Sequence, residues 1–145
     1  PYTEGNELPY APEYTANLGA ELSLPIGGQW AFVGRLDWLF TGETWFHTVQ
    51  DNAGIINSFT DLSDIYGVEG FGFGPGNFDR TERDAFDVLN ARLTLESDNW
   101  VITAWGRNLT DEEYLEEVIP APEFGGSFGH DAWRRTYGLD VTYRF

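Results

Sequence analysis

The chain has 145 residues, room for one domain but not comfortably for two, and 17% of them are aromatic, which gives too much apolar ring surface for a disordered segment. A formal charge of −16 repels phosphate backbones and excludes nucleic acid as an expected partner. The absence of cysteine removes disulfide frameworks and thiolate metal sites, Pro1 to Tyr10 does not read as a signal peptide, and no run reaches the roughly 18 to 20 apolar residues of a spanning helix, so strands are the remaining route through a bilayer.

Between Tyr14 and Leu24 one parity is Tyr14, Ala16, Leu18, Ala20, Leu22 and Leu24, and the other is Thr15, Asn17, Gly19, Glu21 and Ser23. Side chains in a strand alternate faces, so the segment predicts a strand with one apolar and one polar or small face. Pro25 to Gln29 reads as a turn. A second strand then sets Trp30, Phe32, Gly34, Leu36, Trp38 and Phe40 against a row containing Arg35, Asp37 and Thr41, and is expected to run on to His47. From about Val49 to Asp84, sustained periodicity is lost among Gly, Asp and Asn, predicting a long binding-side loop.

Alternation returns at Phe86, with Leu89, Ala91, Leu93 and Leu95 opposite Asn90, Arg92, Thr94 and Glu96. A tight turn at Asp98-Asn99 leads into a strand from Trp100 to Leu109, whose even row, Trp100, Ile102, Ala104 and Gly106, is assigned to the apolar face. From Thr110 to Trp133 a second loop is expected, carrying Asp111, Glu112, Glu113, Glu116, Glu117, Glu123 and Asp131 without Lys or Arg. The last strand, Thr136 to Phe145, sets Tyr137, Leu139, Val141, Tyr143 and Phe145 against Gly138, Asp140, Thr142 and Arg144.

Connections that alternate between short and long suit an antiparallel up-and-down meander of about five strands, all-β, forming part of a transmembrane β-barrel. Trp30 and Trp100 follow the short turns, and Tyr143 and Phe145 close the last strand at the same level, as one aromatic girdle; Tyr14, Trp38, Phe40 and Tyr137 supply part of the other. Asn17, Glu21, Arg35, Asp37, Asn90, Arg92, Glu96 and Arg107 are then expected to face a hydrated lumen, because charges against hydrocarbon are costly.

Three segments carry a family resemblance: Trp105-Gly106-Arg107-Asn108-Leu109-Thr110-Asp111-Glu112-Glu113-Tyr114, Arg135-Thr136-Tyr137-Gly138-Leu139, and the closing Thr142-Tyr143-Arg144-Phe145. They resemble the carboxy-terminal barrel of TonB-dependent outer-membrane receptors, and Leu8-Pro9-Tyr10-Ala11-Pro12-Glu13-Tyr14 is similar to the segment before an earlier strand of those barrels. The similarity runs over nearly the whole chain from Leu8. It implies a bacterial outer-membrane location, a barrel of about 22 strands around an amino-terminal plug, and uptake of a scarce ligand such as a ferric siderophore, cobalamin or a saccharide. The plug, the earlier strands and the segment that contacts TonB are expected upstream of Pro1, so residues 1–145 would be the carboxy-terminal portion of the receptor. The implied partners are outer-membrane lipid, the remaining strands and plug, TonB through the amino-terminal part, and the barrel-assembly machinery, which would read Tyr143 and Phe145 as a terminal signal.

No catalytic residues, cofactor or metal site are expected. His47 and His130 lack ligand spacing and read as loop histidines. The pairs Glu112 with Glu113 and Glu116 with Glu117 have no nucleophile, base and orienter beside them, so solvated charge is preferred to a glycosidase pair. Those four carboxylates could draw cationic ligands by their field, and Phe71, Phe73 and Phe78 could contact substrate from the first loop or simply pack among loops. Asn108-Leu109-Thr110 fits a glycosylation sequon but reads as a strand-end turn. The competing architecture is a soluble, secreted carbohydrate-binding β-sandwich, in which Trp30, Trp38 and Trp100 would fill a core or a binding platform rather than meet lipid.

Overall fold

A computed structural model describes residues 3–50, 81–121 and 126–145. Nine strands follow one another among them: β1 (Thr15–Gly27), β2 (Trp30–Thr41), β3 (Thr44–Trp45), β4 (Glu82–Arg83), β5 (Phe86–Glu96), β6 (Trp100–Arg107), β7 (Leu115–Ala121), β8 (Gly126–Asp131) and β9 (Thr136–Tyr143). They belong to two compact units, one of Tyr14–Thr41, Phe86–Glu113 and Trp133–Phe145, the other of Pro1–Glu13, Gly42–Ala85 and Tyr114–Ala132.

The first unit is a five-stranded antiparallel sheet in the order β1-β2-β5-β6-β9, so each of its strands lies beside the next one in the chain. β1 and β9 are its open edges; no closed barrel forms among the described residues. Because directly paired residues share a face, the register can be read as rows across the sheet. One row is Leu22, Gly34, Leu93, Ala104 and Leu139; the next is Leu24, Phe32, Leu95, Ile102 and Val141. Between them runs Ser23, Val33, Thr94, Thr103 and Asp140 on the opposite face. The even residues of β6 therefore stand on the apolar face, as expected.

The β1–β2 turn is tighter than the sequence suggests. β1 runs to Gly27, with a register shift between Pro25 and Gly27, and Gly27 and Gly28 take φ values of 112° and 59°. Glycine is the residue that takes both angles without strain, and Pro25 is tolerated because it stands at the register shift that ends regular pairing. At the β5–β6 turn the Ser97 N–H donates to the Trp100 carbonyl at 2.7 Å, and Ser97 Oγ accepts from the Trp100 N–H at 3.1 Å.

Two expectations are corrected. The second strand does not run on to His47 but ends at Thr41: past Gly42, the Thr44 hydroxyl donates back to the Gly42 carbonyl at 3.1 Å, and Thr44 and Trp45 pair with Arg83 and Glu82 instead. The Thr110 to Trp133 segment is not unstructured loop throughout, because β7 and β8 form a hairpin within it. A register shift between Leu115 and Glu117 breaks strict alternation there, which hides the strand from a parity reading.

The second unit holds this hairpin and the short β3–β4 ladder. Phe46 and Val118 are 4% and 3% exposed, and with Ala132 they are the buried apolar residues among the described ones. Tyr10 meets the Phe46 ring edge-on at 5.5 Å between centroids, and the Arg83 guanidinium lies 5.3 Å from the same ring. Arg83 also donates to the Leu115 carbonyl at 3.0 Å and to the Thr44 hydroxyl at 3.1 Å, tying the ladder to the hairpin.

Candidate functional site

The sheet's two faces differ in chemistry. On the apolar face large side chains stand open: Leu18 is 68% exposed, Leu93 53% and Leu139 66%. Aromatic rings cluster at both strand ends. Tyr14 stacks on Phe40 at 5.5 Å and Phe40 lies 5.9 Å from Trp38, while at the other end Trp100 meets Tyr143 at 4.7 Å and Tyr143 meets Phe145 at 5.2 Å. The Trp38 indole N–H donates to Asp87 at 2.9 Å, so this ring has an apolar body and a polar anchor.

The register brings all eight predicted polar-row residues, Asn17, Glu21, Arg35, Asp37, Asn90, Arg92, Glu96 and Arg107, onto the opposite face. Arg35 is the hub of an ion-pair network there. Its Nε and Nη2 donate to both Asp37 carboxylate oxygens at 2.8 to 3.1 Å, and its Nη1 reaches Glu21 at 3.5 Å. Gly19 makes room for this fork, since a Cβ there would sit 3.0 Å from Asp37 Oδ1. The Thr94 and Thr103 hydroxyls bond across β5 and β6 at 3.0 Å.

The face is not uniformly polar. Leu39 and Val88 share the row of Asn17, and Trp105 shares the row of Glu21, Arg35 and Arg92. Trp105 lies over Gly138, its partner on β9: a Cβ at that glycine would come within 2.5 Å of the indole. The Arg107 guanidinium sits 5.4 Å from the Trp105 ring. Arg35, Arg92, Trp105, Arg107, Asn90 and Asp140 border a shallow concavity of about 440 Å³.

The acidic residues expected to act together are dispersed. Glu113 pairs with Arg134 in the sheet unit. In the other unit Glu116 pairs with His130 at 3.3 Å, and Glu117 accepts from the Tyr10 hydroxyl at 3.1 Å. Burial, and then the Glu117 carboxylate, raises the Tyr10 pKa. His47 Nδ1 accepts from the Val49 N–H at 3.1 Å, and among the described residues no group of three His, Cys, Asp or Glu could hold a metal. Phe71, Phe73, Phe78 and Glu123 lie outside the described residues.

What the sequence reading missed is a clamp where the sheet ends. Asn108 is 4% exposed with φ of 50°, and its side chain accepts from the Glu112 N–H at 2.8 Å while donating to the Glu112 and Trp133 carbonyls at 2.8 and 3.3 Å. Its own N–H donates to Asn90 Oδ1 at 3.0 Å. Asp111, φ 61°, accepts from the Arg134 side chain at 2.9 Å and from the Arg135 backbone N–H at 2.9 Å. Hydrogen bonding to Arg134 first, and then to the Arg135 backbone, pulls the Asp111 carboxyl from 3.8 to about 2. The available signal was residue type, because Asn and Asp are the non-glycine residues that most readily take left-handed φ.

With this geometry in place, comparison with known proteins returned no matching family model, no curated relative and no solved structure.

Proposed function

We propose that the chain is the carboxy-terminal portion of a bacterial outer-membrane receptor barrel of the TonB-dependent kind, whose apolar face meets lipid and whose polar face lines a hydrated lumen. The observation that carries this reading is the uncovered apolar face, a continuous field of leucine, valine and aromatic side chains far beyond what a soluble monomer leaves open. Its dimensions support the reading. Trp30 and Phe40 stand ten residues apart on β2, roughly 33 Å along the strand and about 25 Å across a bilayer at a tilt of about 40°, the height of an outer-membrane apolar band. Aromatic clusters at the two strand ends suit the two interfaces.

In this reading β1 and β9 pair with further strands of the same receptor, which leaves no free edge. Tyr143 and Phe145 form the terminal signal for the assembly machinery, and the plug, with its TonB contact, fills the lumen. The chain contributes wall and outer segments to uptake of a ferric siderophore, cobalamin or saccharide and performs no chemistry. A carbohydrate-binding sandwich, by contrast, would bury Leu18, Leu93 and Leu139 under a second sheet, and these residues are exposed.

The test is solubility. Expressed alone, the chain is expected in the insoluble fraction and to recover strand structure only in detergent or lipid. Recovery as a cooperative monomer without detergent overturns the membrane reading.

A further inference from the structure

The apolar face of the sheet is a ladder of rows, and at one end of it stands a charge. Starting from the Trp100–Tyr143 pair, the rows pass through Leu95, Leu93, Ala91 and Leu89 on β5. The last row is Ala16, Phe40 and Asp87, and it brings a carboxylate onto a face whose other paired residues are all uncharged. A carboxylate against hydrocarbon is costly, and the cost falls toward the bilayer's interfaces, so the place of Asp87 along the ladder carries information that the leucines do not.

Trp38 stands one row deeper, paired with Leu89, and its indole N–H reaches diagonally across β2 and β5 to Asp87 Oδ2 at 2.9 Å. The N–H thus points toward the end of the strand, the direction in which an indole at a membrane interface presents its polar edge. Asp87 Oδ1 has no hydrogen-bond partner among the described residues, which leaves it to water or headgroups. At the other end of the face the Trp100–Tyr143 pair, 4.7 Å between centroids, marks the opposite limit beside Ser97. From Asp87 to Ser97 the chain advances ten residues, roughly 33 Å along the strand and about 25 Å across a bilayer at a tilt of about 40°. A hydrocarbon core of about 30 Å would draw the carboxylate in.

Building on the lipid-facing reading proposed above, on which this rests, we infer that Asp87 is the residue that sets how thick a bilayer this face fits. Its carboxylate, tied to Trp38, is held in the headgroup layer and stops the hydrocarbon at the Phe40 row. Aromatic rings alone give a soft limit, because Phe40 and Tyr14 can enter acyl chains at little cost; the carboxylate gives a hard one. The partner that fits is therefore a thin bilayer, with an apolar layer of about 25 Å rather than 30 Å.

The experiment refolds the full chain into phosphatidylcholine vesicles of increasing acyl-chain length and measures the urea midpoint in each. The midpoint is expected to peak in thin bilayers and to fall as they thicken. In Asp87→Leu the peak should move to bilayers thicker by about 5 Å, one ladder row at the same tilt. Asp87→Asn is nearly isosteric and keeps an acceptor for the indole, so it should fold even where the leucine variant does not; its peak should move the same way by less. Trp38→Phe keeps the charge and removes the N–H, and its midpoints should drop with the peak in place. Asp140→Asn, on the opposite face, should leave the peak where it is. A chain that folds in vesicles with the same peak before and after both Asp87 substitutions, or a peak moved equally by Asp140→Asn, overturns the role of Asp87 and leaves the lipid reading standing. A chain that folds cooperatively in buffer, or in no bilayer at all, overturns both.

Discussion

In the five-stranded sheet Leu18, Leu93 and Leu139 stand open on the apolar face, whereas the hairpin unit buries Phe46, Val118 and Ala132. The sheet contains the long alternating runs and the many exposed leucines; the hairpin unit contains two-residue strands, a bulged hairpin and an arginine used as a packing tie. The difference teaches that alternation and burial are separate properties. Alternation says that two solvents meet a sheet, and a core says that protein itself is one of them. In the hairpin unit protein fills that role, and for the sheet we propose lipid.

The largest expected effect breaks the hairpin unit alone. Phe46→Ala removes the ring shared by Tyr10 and Arg83 and should cost that unit about 3 kcal/mol or more. Hydrogen exchange is expected to accelerate in β3, β4, β7 and β8 while the five-stranded ladder stays protected; equal acceleration in both would mean that the two units do not open separately. Next comes the sheet's solvent. Leu93→Arg should destabilise the chain refolded in lipid vesicles by about 2 to 4 kcal/mol, and Ser23→Arg, on the opposite face, by well under half as much. Urea titration of both variants checks the contrast, and similar losses would remove the distinction between the faces.

A smaller effect is expected at the clamp. Asn108→Ala strips three hydrogen bonds from a buried position and should cost about 2 kcal/mol. Asn108→Gly loses the same bonds but accepts φ of 50° freely, so it should be milder by about 1 kcal/mol. Equal losses measured by denaturant titration would show that left-handed strain contributes nothing there.

The smallest effect is in pH. The folded Asp111 carboxyl titrates near 2 against an ordinary 3.8, so the folded state binds its proton less readily than the unfolded chain. Its contribution is therefore present above about pH 4 and fades as pH falls through about 2. Following the carboxyl resonance of Asp111 with pH checks the shift, which should move back toward 3.8 in Arg134→Gln.

Much of the sheet was legible because the rows of Leu18, Leu93 and Leu139 obey period two without interruption. The missed elements share a different cause. β7 carries a bulge at Leu115 to Glu117, and β3 and β4 are too short to show any period. The polar row was legible residue by residue, yet its internal division was not. Nothing in the parity of Arg35 and Arg107 says that the first pairs with Asp37 and Glu21 while the second lies over the Trp105 ring.

By itself the sequence determined which side chains share a face, because alternation is a local property of extended backbone and each strand carries its own copy. The alternation of short and long connections also gave the neighbours in the five-stranded sheet; tertiary structure decided which rows line up and where charges meet. Those depend on register, and register is set between strands by turns such as Gly27-Gly28 and by the clamp at Asn108 and Asp111, whose backbone angles no parity pattern encodes.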